Sequence, residues 1–491
     1  MRRSREFSFV LLVVFVLCAA VYGESEKAFQ VGFGKADITP KITETFEDTN
    51  HNFLFDGDMH NPAGAEKFTD ANGNGRFDAV FIAGRGEPRP ANSVRDPLWA
   101  RAVVFKTDQS AVGIVVLDLI GLSNHDCERI GESLAGKISE VIVACTHTHD
   151  GPDTLGLWGP KGAGGADPAY VDFACKQAAR AVSDALAAAA PATLIVGQGP
   201  VSDLHEDDRA PRITDDLCQV VRAVTPTGER TLGSIVVWSA HPETMSGKNN
   251  SLSPDFPAAT IAKLERDWGG TCLYLNSAVG AQQQPNQGPL KDAEGRDLPQ
   301  DSAARATRIG QLLAQRAEDI LNKSGERVVS PPVRFATREF FIEPKNEELV
   351  AAMKAGLVRR VIYRDGKPTQ DFTGPVQVKT RMTLLRVGPI DFLTVPGELS
   401  PELEVGLPPG FNPDQGPVHS SNYTVLKPLN AILPDKYKIV VGLGEDELGY
   451  LLPECDWRMT YYEPHMSVSP AMERILVEQA ERLVAEVASD R

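Results

Sequence analysis

Short apolar runs rich in β-branched residues alternate along this chain with longer stretches of helical periodicity. Residues 102–105, 112–119 and 141–145 are near-continuous apolar runs, the pattern of strands buried on both faces. Further strand-like runs follow at 193–196, 217–224, 235–238 and 272–275. Helical patterns occupy 126–137, the Ala-rich stretch 166–190, and 257–267, 302–323 and 471–488. Between 333 and 396 the signal turns to antiparallel strands, with 376–387 and 390–395 reading as a hairpin over Gly388 and Pro389. The expected class is mixed α/β (α+β): a mixed central β-sheet with helices packed on its faces. No internal repeat or long low-complexity linker interrupts the pattern.

The first residues carry a different pattern. Arg2, Arg3 and Arg5 precede an apolar run from 7 to 21, and Val21 and Gly23 place small residues before Glu24. This reads as a signal peptide over 1–23, with one folded domain over 24–491, exported to the periplasm or the medium. A membrane anchor is the alternative, because the run lies near the lower length limit for spanning. No later segment reaches that length, so no stable span is expected in the mature chain.

Composition narrows the partners. The 491 residues carry 50 Lys and Arg against 66 Asp and Glu, a formal net charge of −16. Nothing in that balance offsets phosphate repulsion, which argues against nucleic acid or anionic lipid as the main partner. The mature cysteines (Cys127, Cys145, Cys175, Cys218, Cys272 and Cys455) show no CxxC spacing. Disulfides and buried free thiols both fit them.

An insertion at about 45–80 contains two stretches of one spacing. Asp48, Asn50, Asn52 and Asp56 fall at loop positions 1, 3, 5 and 9, and so do Asp70, Asn72, Asn74 and Asp78. Position 7 offers a backbone carbonyl, supplied by Arg76 in the second copy. Calcium takes six to eight oxygens from such a tightly turned loop, and Gly75 stands where the turn is sharpest. Met59 and Phe81 occupy position 12, so a bidentate carboxylate must come from elsewhere. A structural Ca²⁺ is expected, with a solvated Asn/Gly/Asp turn as the alternative.

Four segments carry the remaining chemistry. Thr146-His147-Thr148-His149 follows a buried strand, and two histidines one residue apart there can meet one centre, or divide as ligand and base. A second strand runs into His241, and a third into Pro396-Gly397-Glu398. The fourth segment holds Tyr450, with Tyr462 twelve residues on.

In this order the segments resemble the neutral (alkaline, non-lysosomal) ceramidase family. Val31-Gly-Phe-Gly-Lys-Ala-Asp37-Ile-Thr-Pro40 is similar to its glycine-rich start, followed by Asp96-Pro-Leu-Trp-Ala-Arg101 and the His and Glu motifs above. The resemblance implies a neutral-ceramidase-like catalytic domain without the family's C-terminal immunoglobulin-like domain. It implies Zn²⁺ held by His147, His241, Glu398 and Tyr450, His149 as general base and acid, Tyr462 as oxyanion donor, and Arg209 in the substrate cleft. The family's Gly-Asp-x-Ser-Pro-Asn segment stands here as Gly280-Ala-Gln-Gln-Gln-Pro285-Asn286, without serine. The expected activity is therefore hydrolysis of a small-molecule or lipid amide by metal-activated water. A zinc esterase, or an inactive calcium-stabilised binding protein, are the alternatives, and the sequence leaves the number of subunits open.

Overall fold

The computed structural model describes residues 29–57, 66–160, 164–209, 212–245, 247–411 and 423–489. The expected leader over 1–23 lies outside the described residues. Among the described residues, no helix is long and apolar enough to cross a membrane.

Strands and helices mix as expected, but the strands divide into three sheets. The first orders Glu140–Cys145, Ala111–Leu117, Trp99–Lys106, Gln30–Asp37 and Ala190–Pro191. The second orders Thr271–Leu275, Thr231–Val237, Leu217–Val224, Thr193–Pro200 and Glu326–Val329. The third joins Lys367–Thr369, Ile362–Arg364, Gln377–Val387, Ile390–Thr394 and Tyr437–Val441, with Val333–Ile342 also paired to Gln377–Val387. Each sheet is antiparallel until its last pair, which is parallel: Ala111–Leu117 with Glu140–Cys145, Thr231–Val237 with Thr271–Leu275, and Ile390–Thr394 with Tyr437–Val441.

The apolar runs are near-continuous because both faces of these strands are buried. Val112, Ile114 and Val116 enter a central core shared by all three sheets, together with Ile235, Leu273, Phe392 and Ile439. The alternate residues Val115 and Leu117 face a second core under the helices Asn124–Glu132 and Pro168–Ala187. The other sheets repeat this arrangement. Val236 and Tyr274 pack under Phe256–Trp268 and Ala303–Ser324, while Leu384 and Val440 pack under Met472–Ser489. Period-two alternation at the strands thus assigns one face to the common centre and one to a helical layer.

Local sequence explains the fit of the first layer. Asp167 caps the helix Pro168–Ala187, and Pro168 opens it. The Gly-x-Gly of the opening strand lets that helix approach. A Cβ at Gly32 would lie 2.0 Å from the Ala185 carbonyl oxygen, and one at Gly34 would lie 2.3 Å from that of Ala181. One element departs from expectation: Glu347–Lys354 is a helix within the stretch read as antiparallel strands. Asn346 starts it, its side chain accepting from the Glu348 and Leu349 amides. The six described cysteines are free thiols, and all but Cys455 are buried.

Candidate metal centre

The three parallel pairs end on the same side of the central core, and the chemistry hangs from their carboxyl ends. Asn276, fully buried after Thr271–Leu275, ties the ends together. Its Nδ2 donates to the Thr146 carbonyl (2.6 Å), its Oδ1 accepts from the Ala240 amide (3.2 Å), and its own carbonyl accepts from the Gly442 amide (3.1 Å). One side chain and its backbone therefore bridge the segments carrying His147, His241 and the turn toward Tyr450.

His147 adopts a left-handed backbone, φ 64°, which costs a non-glycine residue about 1–2 kcal/mol. Its amide donates to the Leu119 carbonyl and its Nδ1 lies 2.7 Å from the Ile120 carbonyl. His241 repeats the arrangement, with its amide and Nδ1 both on the Gln283 carbonyl, at 2.9 and 2.7 Å. With Nδ1 anchored on a carbonyl, each ring turns Nε2 toward Glu398, whose Oε2 lies 3.4 Å from the unpartnered His147 Nε2 and is hydrogen-bonded to His241 Nε2 at 3.1 Å. Burial opposes ionisation of Glu398, yet the two imidazoles hold its carboxyl well below the usual range.

Glu398 and Tyr450 are brought together by backbone pairing. Glu398–Leu399 runs parallel to Tyr450–Leu451, with Glu398 opposite Tyr450. Burial and the Glu398 charge push the Tyr450 phenol well above its ordinary value, and its hydroxyl accepts from Gln282 Nε2 at 3.1 Å. His149 completes the cluster. Ligand atoms of His147, His149 and His241 lie within 4.8 Å of one another, so the three could hold a metal ion. The centre fits a cation: the His147 and His149 Nε2 atoms are buried without a hydrogen-bond partner, beside an ionised carboxylate. Two imidazoles, a carboxylate and a phenol form a nitrogen- and oxygen-donor set suited to zinc.

A cavity of about 250 Å³ opens onto His147, His149, Glu398 and Tyr450. Leu155, Trp158, Leu349, Met353, Val358 and Val468 make much of its wall apolar, and Tyr462 lines it from a largely exposed position. The ring centroids of Tyr450 and Tyr462 are 6.0 Å apart. No serine, threonine or cysteine lines this cavity among the described residues.

Arg209 does not line the cavity. Its guanidinium lies 2.5 Å from Asp456 and 3.0 Å from Glu463, and stands over the Tyr461 ring. It secures the segment that presents Tyr462. Two buried carboxylates near the histidine-bearing segments serve elsewhere. Asp118 accepts from the Trp99 amide, and Asp255 caps Phe256–Trp268. The glutamine segment supports the candidate ligands, Gln282 through Tyr450 and Gln283 through His241. Glu243, missed from sequence, sits 3.2 Å from His149 Nδ1, and its position two residues after His241 was the available signal.

The two Asn/Asp loops share one geometry at 48–56 and 70–78. In each, both asparagine side chains reach the last aspartate: Asn50 and Asn52 reach Asp56, and Asn72 and Asn74 reach Asp78. Asp48 and Asp70 each accept from backbone amides of their own loop. Arg76 lies in the second loop, its amide donating to Asn74. A carboxylate from outside meets each loop, by exchange. Glu66, four residues before the second loop, accepts from Thr49 and Asp56 of the first. Glu44, four before the first, accepts from Ala71 and Asp78 of the second. Phe46, Phe55, Phe68 and Phe77, two from each copy, pack between them.

No family model and no curated protein matches the sequence. Solved structures do match. A neutral ceramidase from Pseudomonas aeruginosa superposes with a TM-score of 0.65 at 17% identity, over 94% of this chain and 75% of that one. A ceramidase complexed with C2 gives 0.63 at 17% identity, over 94% and 76%. The chain thus has a neutral-ceramidase-like fold, an α/β assembly of mixed sheets and helices.

Proposed function

We propose that the chain is an exported, zinc-dependent hydrolase that cleaves the amide bond of an N-acyl lipid, with an N-acyl sphingolipid as the leading candidate. The supporting observation is the convergence of His147, His241 and Glu398, with unpartnered buried Nε2 atoms on His147 and His149, beside a largely apolar cavity. The ceramidase-like fold agrees with a lipid amide. The cavity, at about 250 Å³, suits one apolar arm of such a molecule and leaves the rest toward the mouth.

The ligands for zinc are His147, His241, Glu398 and Tyr450. A bound zinc would polarise the amide carbonyl and lower the pKa of a water toward neutrality. Burial pulls His149 down to about 4 despite the neighbouring Glu243, so it is neutral near pH 7 and can take the water's proton on Nε2. As oxygen bonds to the carbonyl carbon, the Tyr462 hydroxyl donates to the oxyanion. His149 then returns the proton to the amine nitrogen as the C–N bond breaks, leaving a carboxylic acid and an amine. With no serine, threonine or cysteine on the described cavity wall, water is the nucleophile.

Metal analysis combined with fatty-acid release from a fluorogenic N-acyl sphingosine tests this. One zinc per chain and turnover abolished in His149→Ala are expected. Zinc retained without turnover on any amide or ester would favour a binding protein instead.

For the insertion we propose structural calcium. Glu66 and Glu44 each bring an outside carboxylate to a loop that has none at position 12, and the reciprocal exchange couples the two loops.

A further inference from the structure

We propose that Glu243, held by Arg85, is a positioning residue that fixes the ring orientation and tautomer of His149. This deepens the hydrolase reading and rests on it for the role of His149, but the geometry stands independently. Glu243 Oε2 lies 3.2 Å from His149 Nδ1 and 2.8 Å from an Arg85 terminal nitrogen, and both Glu243 and the imidazole are largely buried. Residues 241–243 supply the ligand His241, the Pro242 carbonyl that accepts the His149 amide at 3.0 Å, and the Glu243 carboxylate itself.

The remaining sides of His149 are also gripped. Its carbonyl accepts from the buried Arg89 guanidinium at 2.7 Å, which also holds the Ala83 carbonyl at 2.9 Å. Gly84 covers the ring. A Cβ there would stand 2.4 Å from His149 Cγ, on a backbone with φ 93°. The 83–85 turn thus covers the imidazole with Gly84 and holds Glu243 with Arg85. A carboxylate on Nδ1 keeps the proton on that nitrogen and leaves Nε2 free. Both ring nitrogens of His149 are buried without a formed hydrogen bond, and the Glu243 carboxylate at ion-pair distance from Nδ1 distinguishes the two.

The test uses the full-length, metal-loaded protein labelled with [15N]histidine, His149 being assigned by the signal lost in His149→Gln. In wild type His149 is expected wholly in the Nδ1–H tautomer, and in Glu243→Leu as a mixture of the two. With zinc retained, kcat should fall about 10- to 100-fold in Glu243→Leu with KM little changed, and Glu243→Asp should recover part of it. Arg85→Ala should give a smaller loss of the same kind. A wild-type Nε2–H tautomer, or a spectrum and kcat unmoved by Glu243→Leu, would overturn the proposal. If wild type shows no turnover the hydrolase reading fails, while the tautomer still decides the role of Glu243.

Discussion

At His147 the backbone takes a strained left-handed turn, and the return is a ring whose Nδ1 is anchored and whose Nε2 is bare. His241 has its Nδ1 anchored without that strain, on the Gln283 carbonyl, while its Nε2 meets Glu398. Removing the carboxylate between them should release the metal. Glu398→Gln is expected to lose more than the roughly 100-fold in zinc affinity that an outer partner contributes, as checked by competition with a chelator. Tyr462→Phe should keep the zinc and lower kcat by about 10²–10³, the value of one oxyanion donor, in steady-state assays on the amide. The residues themselves were legible. His-x-His after a buried strand, a lone His after a second, and Pro-Gly-Glu after a third are all visible in one dimension. Their supports were not: Ile120 and Gln283 act through backbone carbonyls, and Arg85 and Glu243 meet across some 158 residues of chain.

Among the elements, the parallel pairs matter most. Ligands sit beyond the carboxyl ends of parallel strands in open α/β sheets, and here three such ends from three sheets share one site. Sequence reading found these strands because their apolar runs are buried on both faces. It merged three sheets into one because pairing partners leave no mark on a single strand. The helix Glu347–Lys354 was hidden for a related reason: it is short and mostly unburied, so its period was weak. Two elements invite tests. Arg209→Ala leaves Asp456 and Glu463 buried without their cation, which should cost about 3–5 kcal/mol in denaturant unfolding and loosen the Tyr462 segment. Calcium should raise the thermal midpoint and protect the 44–78 insertion from proteolysis, and Glu44→Gln and Glu66→Gln should each weaken both effects through the loop they serve.

For the molecule as a whole, burial of acids sets the pH response. Burial pushes Asp118 up to about 6 and Asp207 up to about 7, so the folded chain binds these protons more tightly than the unfolded chain. Their contribution is full below the unfolded value near 4 and is lost as pH rises through 6 to 7. Glu243 has the opposite sign: burial opposes it, but His149 and Arg85 hold it down at about 2, so its contribution is lost only as pH falls toward 2. With a net charge of −16 adding repulsion at high pH, the thermal midpoint should be higher near pH 5 than at pH 8. Asn276→Ala should lower that midpoint at any pH and deplete the metal, because it removes the tie between the Thr146 and Ala240 segments. The most direct measurement is an anomalous difference map at the zinc edge from crystals of the purified protein. It should show one peak about 2.0–2.2 Å from His147 Nε2, His241 Nε2 and a Glu398 oxygen, with the Tyr450 hydroxyl as fourth ligand. A zinc-replete crystal with no peak among these four side chains would contradict the account.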